Sequence, residues 1–149
     1  MFRDKVKIHY TDIKYRIKSW RKTSQLLEKV IREYGYKPGD LNFIITNDSF
    51  ITELNKKYLG HNYPTDVISF RYNEGKIIDG DIFISIDAVK NNAINYNVSQ
   101  ENEMRRVLIH GTLHLCGYED GSNKQRDEIR KLEDYWLEKW ESLDYGFLF

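Results

Sequence analysis

The chain has 149 residues, of which 40% are hydrophobic and 31% charged, with 23 basic and 23 acidic side chains. This composition excludes a disordered or fibrous protein and predicts a single globular domain over residues 1–149. The sequence contains no apolar stretch long enough for a membrane span or a signal peptide, and its lone cysteine, Cys116, has no internal disulfide partner, so we expect a cytoplasmic protein without membrane association.

The first half of the chain predicts two strands that alternate with two helices. Apolar residues alternate with polar ones over about 4–10, which is typical of a strand with one wet face. Helical spacing of apolar residues predicts a helix over about 19–34, which ends before Gly35, Pro38 and Gly39. An apolar run at 41–46 predicts the second strand. A short helix should follow, capped by Asn47 or Asp48, with the apolar stripe Ile51, Leu54 and Tyr58.

The second half predicts two neighbouring strands and then three helices. The strands are expected at 67–72 and 81–86. Ser85 or Asp87 can cap a helix through Asn95, and a further helix should begin at Ser99 and run to Cys116. The capping box of Ser122 and Gln125 opens a long helix with the stripe Ile129, Leu132, Tyr135, Trp136 and Trp140. This order predicts an α+β fold, with about five helices packed on a mixed four-stranded sheet.

Positive charge is concentrated near the N-terminus. Residues 1–37 carry a net charge of +7, and the rest of the chain carries −7. The excess peaks at 14–22, where cations alternate with the aromatic residues Tyr15 and Trp20, a composition that suits contacts to RNA phosphates and bases. The alternative is a solvated helix face. We refer to three of these cations as the basic segment and predict that they bind substrate: Lys14, Arg16 and Lys18.

Two histidines four residues apart indicate a metal site. His110 and His114 would lie on one face of the predicted helix, close enough for both imidazoles to bind one cation. Gly117 lets the chain reverse after the helix, so that Asp120 can approach the same ion as a third ligand. Three protein ligands leave a position for water, as a catalytic metal site requires. The alternative is a pair of ordinary helix histidines.

The segment from His110 to Tyr118 resembles the signature of the YbeY family, bacterial metal-dependent endoribonucleases of ribosomal RNA maturation. The blocks at 54–58, 64–70 and 80–85 resemble further family blocks in the same order. The resemblance implies an α+β fold whose central helix carries the ligands of one divalent ion, most simply zinc. It further implies cleavage of single-stranded RNA, with ribosomal RNA precursors and the ribosome as partners, in rRNA maturation and ribosome quality control.

The sequence departs from the family signature at two positions. Asp120 replaces a histidine, which exchanges a nitrogen ligand for a charged oxygen that zinc also accepts. Leu59 stands where family members commonly carry an arginine, and Lys57 or His61 are the nearby cationic candidates for contacting a phosphate. Asp66, in a shared block, is a candidate catalytic residue that orients water, although it can equally cap the turn after Pro64.

Two other functions are consistent with parts of the sequence. A metal-stabilised RNA- or ribosome-binding module without catalysis would explain Leu59 and the basic segment. A zinc metalloprotease is less consistent, because Gly111 occupies the position of the glutamate base in His-Glu-x-x-His enzymes. Metal-dependent turnover of RNA separates these readings.

Three residues near the metal motif or on the last helix are assigned to the core. Cys116 follows His114 by two residues and therefore points away from the ligand face. Trp136 and Trp140 are expected to be core or interface anchors and not RNA platforms, because the acidic residues around them would repel phosphate: Glu133, Asp134, Glu138 and Glu141.

Overall fold

The computed structural model describes residues 5–142 and contains four strands and five helices in that range. Their order confirms the predicted α+β fold. The elements are β1 (Val6–Tyr10), α1 (Trp20–Glu33), β2 (Lys37–Thr46), α2 (Asp48–Leu59), β3 (Val67–Arg71), β4 (Ile77–Ser85), α3 (Ile86–Tyr96), α4 (Gln100–Leu115) and α5 (Asn123–Ser142).

The four strands form one mixed sheet in the order β1-β2-β4-β3. Strand β2 runs parallel to both β1 and β4, while β3 pairs antiparallel with β4. The sheet therefore has β1 at one edge and β3 at the other. Because β3 is an edge strand, one side of its backbone has no neighbouring strand among the described residues.

Helix α4 packs closely on the sheet next to β3. A Cβ atom at Gly111 would lie 2.8 Å from Ile82 Cγ2, so only glycine permits this approach. The Ser69 hydroxyl donates a hydrogen bond of 3.2 Å to the Gly111 carbonyl. The predicted packing residues Val107, Leu108 and Leu115 are buried, which confirms the central position of the helix that carries both histidines.

Side-chain caps fix the starts of four helices. Asn47 accepts from the Phe50 amide at 2.9 Å, Ser85 from the Ala88 amide at 3.2 Å, and Ser99 from the Asn102 amide at 3.0 Å. The capping box also forms, since Ser122 and Gln125 exchange bonds of 3.1 and 3.0 Å. The caps are therefore Asn47 and not Asp48, and Ser85 and not Asp87.

Some boundaries and apolar stripes differ from the prediction. Strand β2 begins at Lys37, earlier than the predicted start at residue 41, and its register with β4 is irregular between Pro38 and Leu41. Pro38 and Gly39, which were predicted only to end the helix, therefore lie within the strand. The predicted stripe residues Tyr58 and Tyr135 are 56% and 47% exposed. Strand β4 begins at Ile77, earlier than predicted. The predicted start of the first strand at residue 4 lies outside the described residues.

Most of the remaining core follows the predicted apolar positions of α1, β2, β4 and α5. Within residues 5–142, no helix combines the length and the apolar composition needed to cross a bilayer.

Candidate metal centre

The end of α4 forms a turn that brings Asp120, the predicted third ligand, back to the helix. Gly117 has a φ of 97°, a left-handed conformation that glycine adopts without strain. The Gly117 amide donates to the His114 carbonyl at 3.0 Å, and the Tyr118 amide donates to the Leu113 carbonyl at 3.1 Å. This pair of bonds is a Schellman motif, which closes the helix and reverses the chain. Asp120 consequently lies over the face that carries the two histidines.

The three side chains converge on one point. The Nε2 atoms of His110 and His114 are 2.9 Å apart, and Asp120 Oδ2 lies 3.2 Å from the first and 3.4 Å from the second. Ligands about 2.0–2.1 Å from a tetrahedral ion lie about 3.3 Å from one another. The triangle therefore has the size that one divalent ion requires, and among the described residues this triad is the cluster suited to a metal.

A buried carboxylate holds the first histidine in place. Glu133, on α5, is 4% exposed, and its Oε2 lies 2.6 Å from His110 Nδ1. Since an ionised carboxylate only accepts, Nδ1 carries the proton and donates, which leaves the Nε2 lone pair directed at the triad. Such a carboxylate behind a ligating histidine fixes the orientation of the ring and increases its basicity.

The electrostatics of the metal-free triad favour the imidazolium form of His110, which carries a second proton on Nε2 in addition to the one on Nδ1. Burial alone would lower the pKa of this imidazole, but the hydrogen bond to Glu133 and the charges of Glu133, Asp66 and Asp120 outweigh it and raise the pKa. A cation in the triad has to displace that proton, so its binding weakens at acid pH.

Arg106 completes the support behind His110. It contacts Glu133 Oε1 at 2.9 Å and Asp134 at 2.6 Å. Glu133 was expected only to repel phosphate, and its burial against His110 was not predicted. Its spacing contained the signal: Glu133 follows Ile129 by four residues and precedes Trp136 by three, so it lies on the buried face of α5.

The triad stands between two cavities. The first has a volume of about 530 Å³ and is lined by His114, by the loop and helix end around Leu59 to Thr65, and by all of β3. The second, of about 480 Å³, is lined by His110, Asp120 and Glu133, together with Asp66 and Glu103. Glu103 is 3% exposed, and burial raises its pKa.

The structure brings some predicted site residues to these cavities and leaves others outside. Asp66 lines the second cavity, where its Oδ2 lies 3.5 Å from the side-chain Nδ2 of Asn92. Leu59 and His61 line the first. Lys57 is exposed beside the ring of Tyr58 and lines neither cavity.

The basic segment lies outside the two cavities beside the triad. It follows β1, at the opposite sheet edge from β3, and Lys14, Arg16 and Lys18 are all exposed. It belongs to an irregular connection and not to a helix face.

Of the residues assigned to the core, Cys116 and Trp136 lie in it and Trp140 packs against it. Cys116 is 7% exposed, and burial raises the pKa of its thiol to about 12. Trp136 is buried and donates from Nε1 to the Tyr34 hydroxyl at 3.0 Å. The half-buried ring of Trp140 lies between the cations of Lys22 and Arg105, at 3.6 and 3.7 Å.

Fold and triad together define a small α+β protein with a candidate metal centre built from a helical His-x-x-x-His pair and a carboxylate. The family model described as Endoribonuclease YbeY matches residues 2–141. The chain belongs to the YbeY family.

Relatives from several bacteria support this membership. The proteins named Endoribonuclease YbeY from Chlorobium phaeobacteroides and Flavobacterium johnsoniae are 38% and 44% identical to it, over 78% and 72% of this chain and 82% and 78% of theirs. A solution structure of a Thermotoga maritima protein is similar with a TM-score of 0.60 and 28% identity, and the match covers 92% of both chains. The family resemblance noted in the sequence is thereby confirmed.

Proposed function

We propose that this protein is a metal-dependent endoribonuclease that cleaves single-stranded RNA in the maturation of ribosomal RNA precursors and in ribosome quality control. The observation that carries the proposal is the triangle of His110, His114 and Asp120, whose dimensions suit one divalent ion. Membership of a family named for endoribonuclease activity supplies the reaction class. We place this activity in the cytoplasm, with the ribosome as partner.

We assign zinc to the triad, because two imidazoles and a carboxylate are a ligand set that zinc accepts in hydrolases. When bound, such an ion supplies Lewis-acid activation of the phosphodiester and of water. His110 and His114 would hold it through Nε2, and Asp120 would contribute the charged third ligand. Glu133 acts behind them by fixing the ring of His110.

Other residues are assigned to the orientation of water and to the attraction of RNA. We assign to Asp66 the orientation of the attacking water, because its carboxylate lies in the cavity shared by His110 and Asp120. The basic segment and Lys57 supply attraction for RNA from outside the two cavities, since exposed cations raise affinity without taking part in the chemistry.

Cleavage of a labelled single-stranded RNA by metal-loaded protein tests the proposal. His114→Ala should abolish both bound metal and cleavage while RNA affinity is largely retained, because His114 is a ligand and not a phosphate contact. His9→Ala is the matched control, since His9 lies on β1 and hydrogen-bonds Asn42.

Two results would refute the assignment. Intact RNA after incubation with several divalent ions would indicate a binding module without catalysis. Cleavage that survives His114→Ala would show that the activity belongs elsewhere.

A further inference from the structure

The two cavities beside the triad differ in charge. The second is lined by five acidic side chains and three arginines, with carboxylates directly beside His110: Asp66, Glu103, Asp120, Asp127, Glu133, Arg106, Arg126 and Arg130. In the first, Arg71 is the one arginine or lysine among the described lining residues, and exposed Glu119 is the one carboxylate. The first cavity is therefore the less repulsive side of the metal centre for an RNA strand.

Arg71 has unused capacity to bind an anion. One of its terminal nitrogens donates to the Gly75 carbonyl at 2.6 Å, and the guanidinium lies 5.2 Å from the ring centre of Tyr36. Both partners are neutral, and within residues 5–142 no carboxylate reaches salt-bridge distance of Arg71. Its Nε is buried without a hydrogen-bond partner. A half-buried guanidinium without an acidic partner is suited to a phosphate.

An aromatic platform stands in the same cavity. Tyr63 is 55% exposed and lies 5.1 Å from the ring of His61. Buried Asn55 fixes this loop, because its side-chain amide donates to the Tyr63 carbonyl at 2.8 Å and its own carbonyl accepts from the His61 amide at 3.2 Å. An exposed ring on an anchored backbone is the arrangement on which a nucleobase stacks.

We propose that the first cavity is a nucleotide subsite in which Arg71 binds an RNA phosphate that flanks the scissile one and Tyr63 stacks on a base. The cavity volume lies within the range of small-molecule sites and accommodates a nucleotide. His114 lines the same cavity, so the subsite adjoins the metal centre. The inference rests on the proposed function and specifies from which side the RNA reaches the triad.

The test measures binding and cleavage of a fluorescent oligouridylate separately. Arg71→Gln should weaken binding about tenfold and reduce the slope of log affinity against log salt by about 0.7, the value for one phosphate contact on a single strand. Arg71→Lys keeps the charge and should keep the slope. Arg32→Gln removes an exposed arginine from α1, which contributes to neither cavity, and is the matched control.

Tyr63→Leu should weaken binding by about tenfold through lost stacking, whereas Tyr63→Phe retains the ring and should bind like the parent protein. Bound metal should be unchanged in all of these variants. If Arg71→Gln has no more effect than Arg32→Gln, or if Tyr63→Phe loses as much as Tyr63→Leu, the subsite is refuted.

The two readouts separate this inference from the proposed function. If the protein cleaves RNA but the Arg71 and Tyr63 variants bind and cleave like the parent, the subsite is wrong and the endoribonuclease assignment stands. If the parent binds oligouridylate through Arg71 and Tyr63 but cleaves nothing with any divalent ion, the subsite stands and the assignment of catalysis falls.

Discussion

Glu133→Gln isolates the contribution of the carboxylate behind His110. The new amide can accept from His110 Nδ1 only with its oxygen, and its NH2 group then faces the Arg106 nitrogen that now contacts Glu133 Oε1. Two donors would oppose each other in a site where Glu133 is buried. We therefore expect the His110 ring to lose its fixed orientation, so that Nε2 no longer holds the position the triad requires.

Loss of such a supporting carboxylate typically costs 10- to 100-fold in metal affinity, which corresponds to about 1.4–2.7 kcal/mol. We expect the upper part of this range, because the 2.6 Å contact between Glu133 and His110 is short and buried.

The pH dependence of this loss has a definite sign. Glu133 raises the pKa of His110 in the metal-free protein, so protons compete with the ion more strongly in the parent than in the variant. The difference in affinity should be largest at about pH 8 and should narrow as the pH falls toward about 6, through the range where histidine titrates.

Competition of the protein with a chromophoric chelator for zinc measures this difference. Asp134→Asn is the matched control, because Asp134 contacts the same Arg106 but is exposed and does not reach His110. Equal affinities for Glu133→Gln and the parent at about pH 8, or equal losses for the two variants, would refute the role given to Glu133.

Three other experiments test separate parts of the structure. Asp120→His should retain zinc and bind it more tightly, measured by the same chelator competition, since it exchanges oxygen for nitrogen; loss of the ion would contradict the ligand assignment. Charge reversal of the basic segment should lower the salt slope of RNA binding by up to about two, with metal content unchanged; an unchanged slope would remove it from the RNA surface. Gly80→Ala should destabilise the fold by about 1–3 kcal/mol in urea unfolding, because its Cβ would lie 2.5 Å from the Phe70 carbonyl. Gly121→Ala, with its nearest contact at 3.5 Å, should be almost neutral, and equal effects would contradict the packing argument.

Periodicity and capping residues were sufficient to predict the order of the elements. The caps Asn47, Ser85 and Ser99 act through contacts only three residues away, so local sequence contains the whole interaction. Tyr58 was predicted in the apolar stripe of α2 but is exposed, because a helix near the sheet edge leaves part of its apolar stripe uncovered. Its ring still lies 5.6 Å from that of Phe70.

The metal triad was predictable for the same reason, since its three residues lie within one helix end and the following turn. The residues around the triad were not predictable from local sequence. Glu133 reaches His110 across 23 positions of sequence, and its burial depends on how α5 crosses α4. Arg71 lines the first cavity because of the pairing of β3 with β4, in which it lies opposite Gly80. Such long-range placement is set by tertiary packing and has no local sequence pattern.

The position of the triad at the carbonyl end of α4 links the ion to the stability of the fold. Aligned peptide dipoles give that end about half a negative elementary charge and the other end the opposite sign. The positive end is matched by the Ser99 cap and by Glu101 and Glu103 in the first turn. A cation held by His114 and its neighbours would match the negative end in the same way and act as a cap for the helix at the centre of the domain. Folding and metal loading are then coupled equilibria: scarcity of the ion would loosen the last turn of α4, and with it the amides of Cys116, Gly117 and Tyr118 that close the helix.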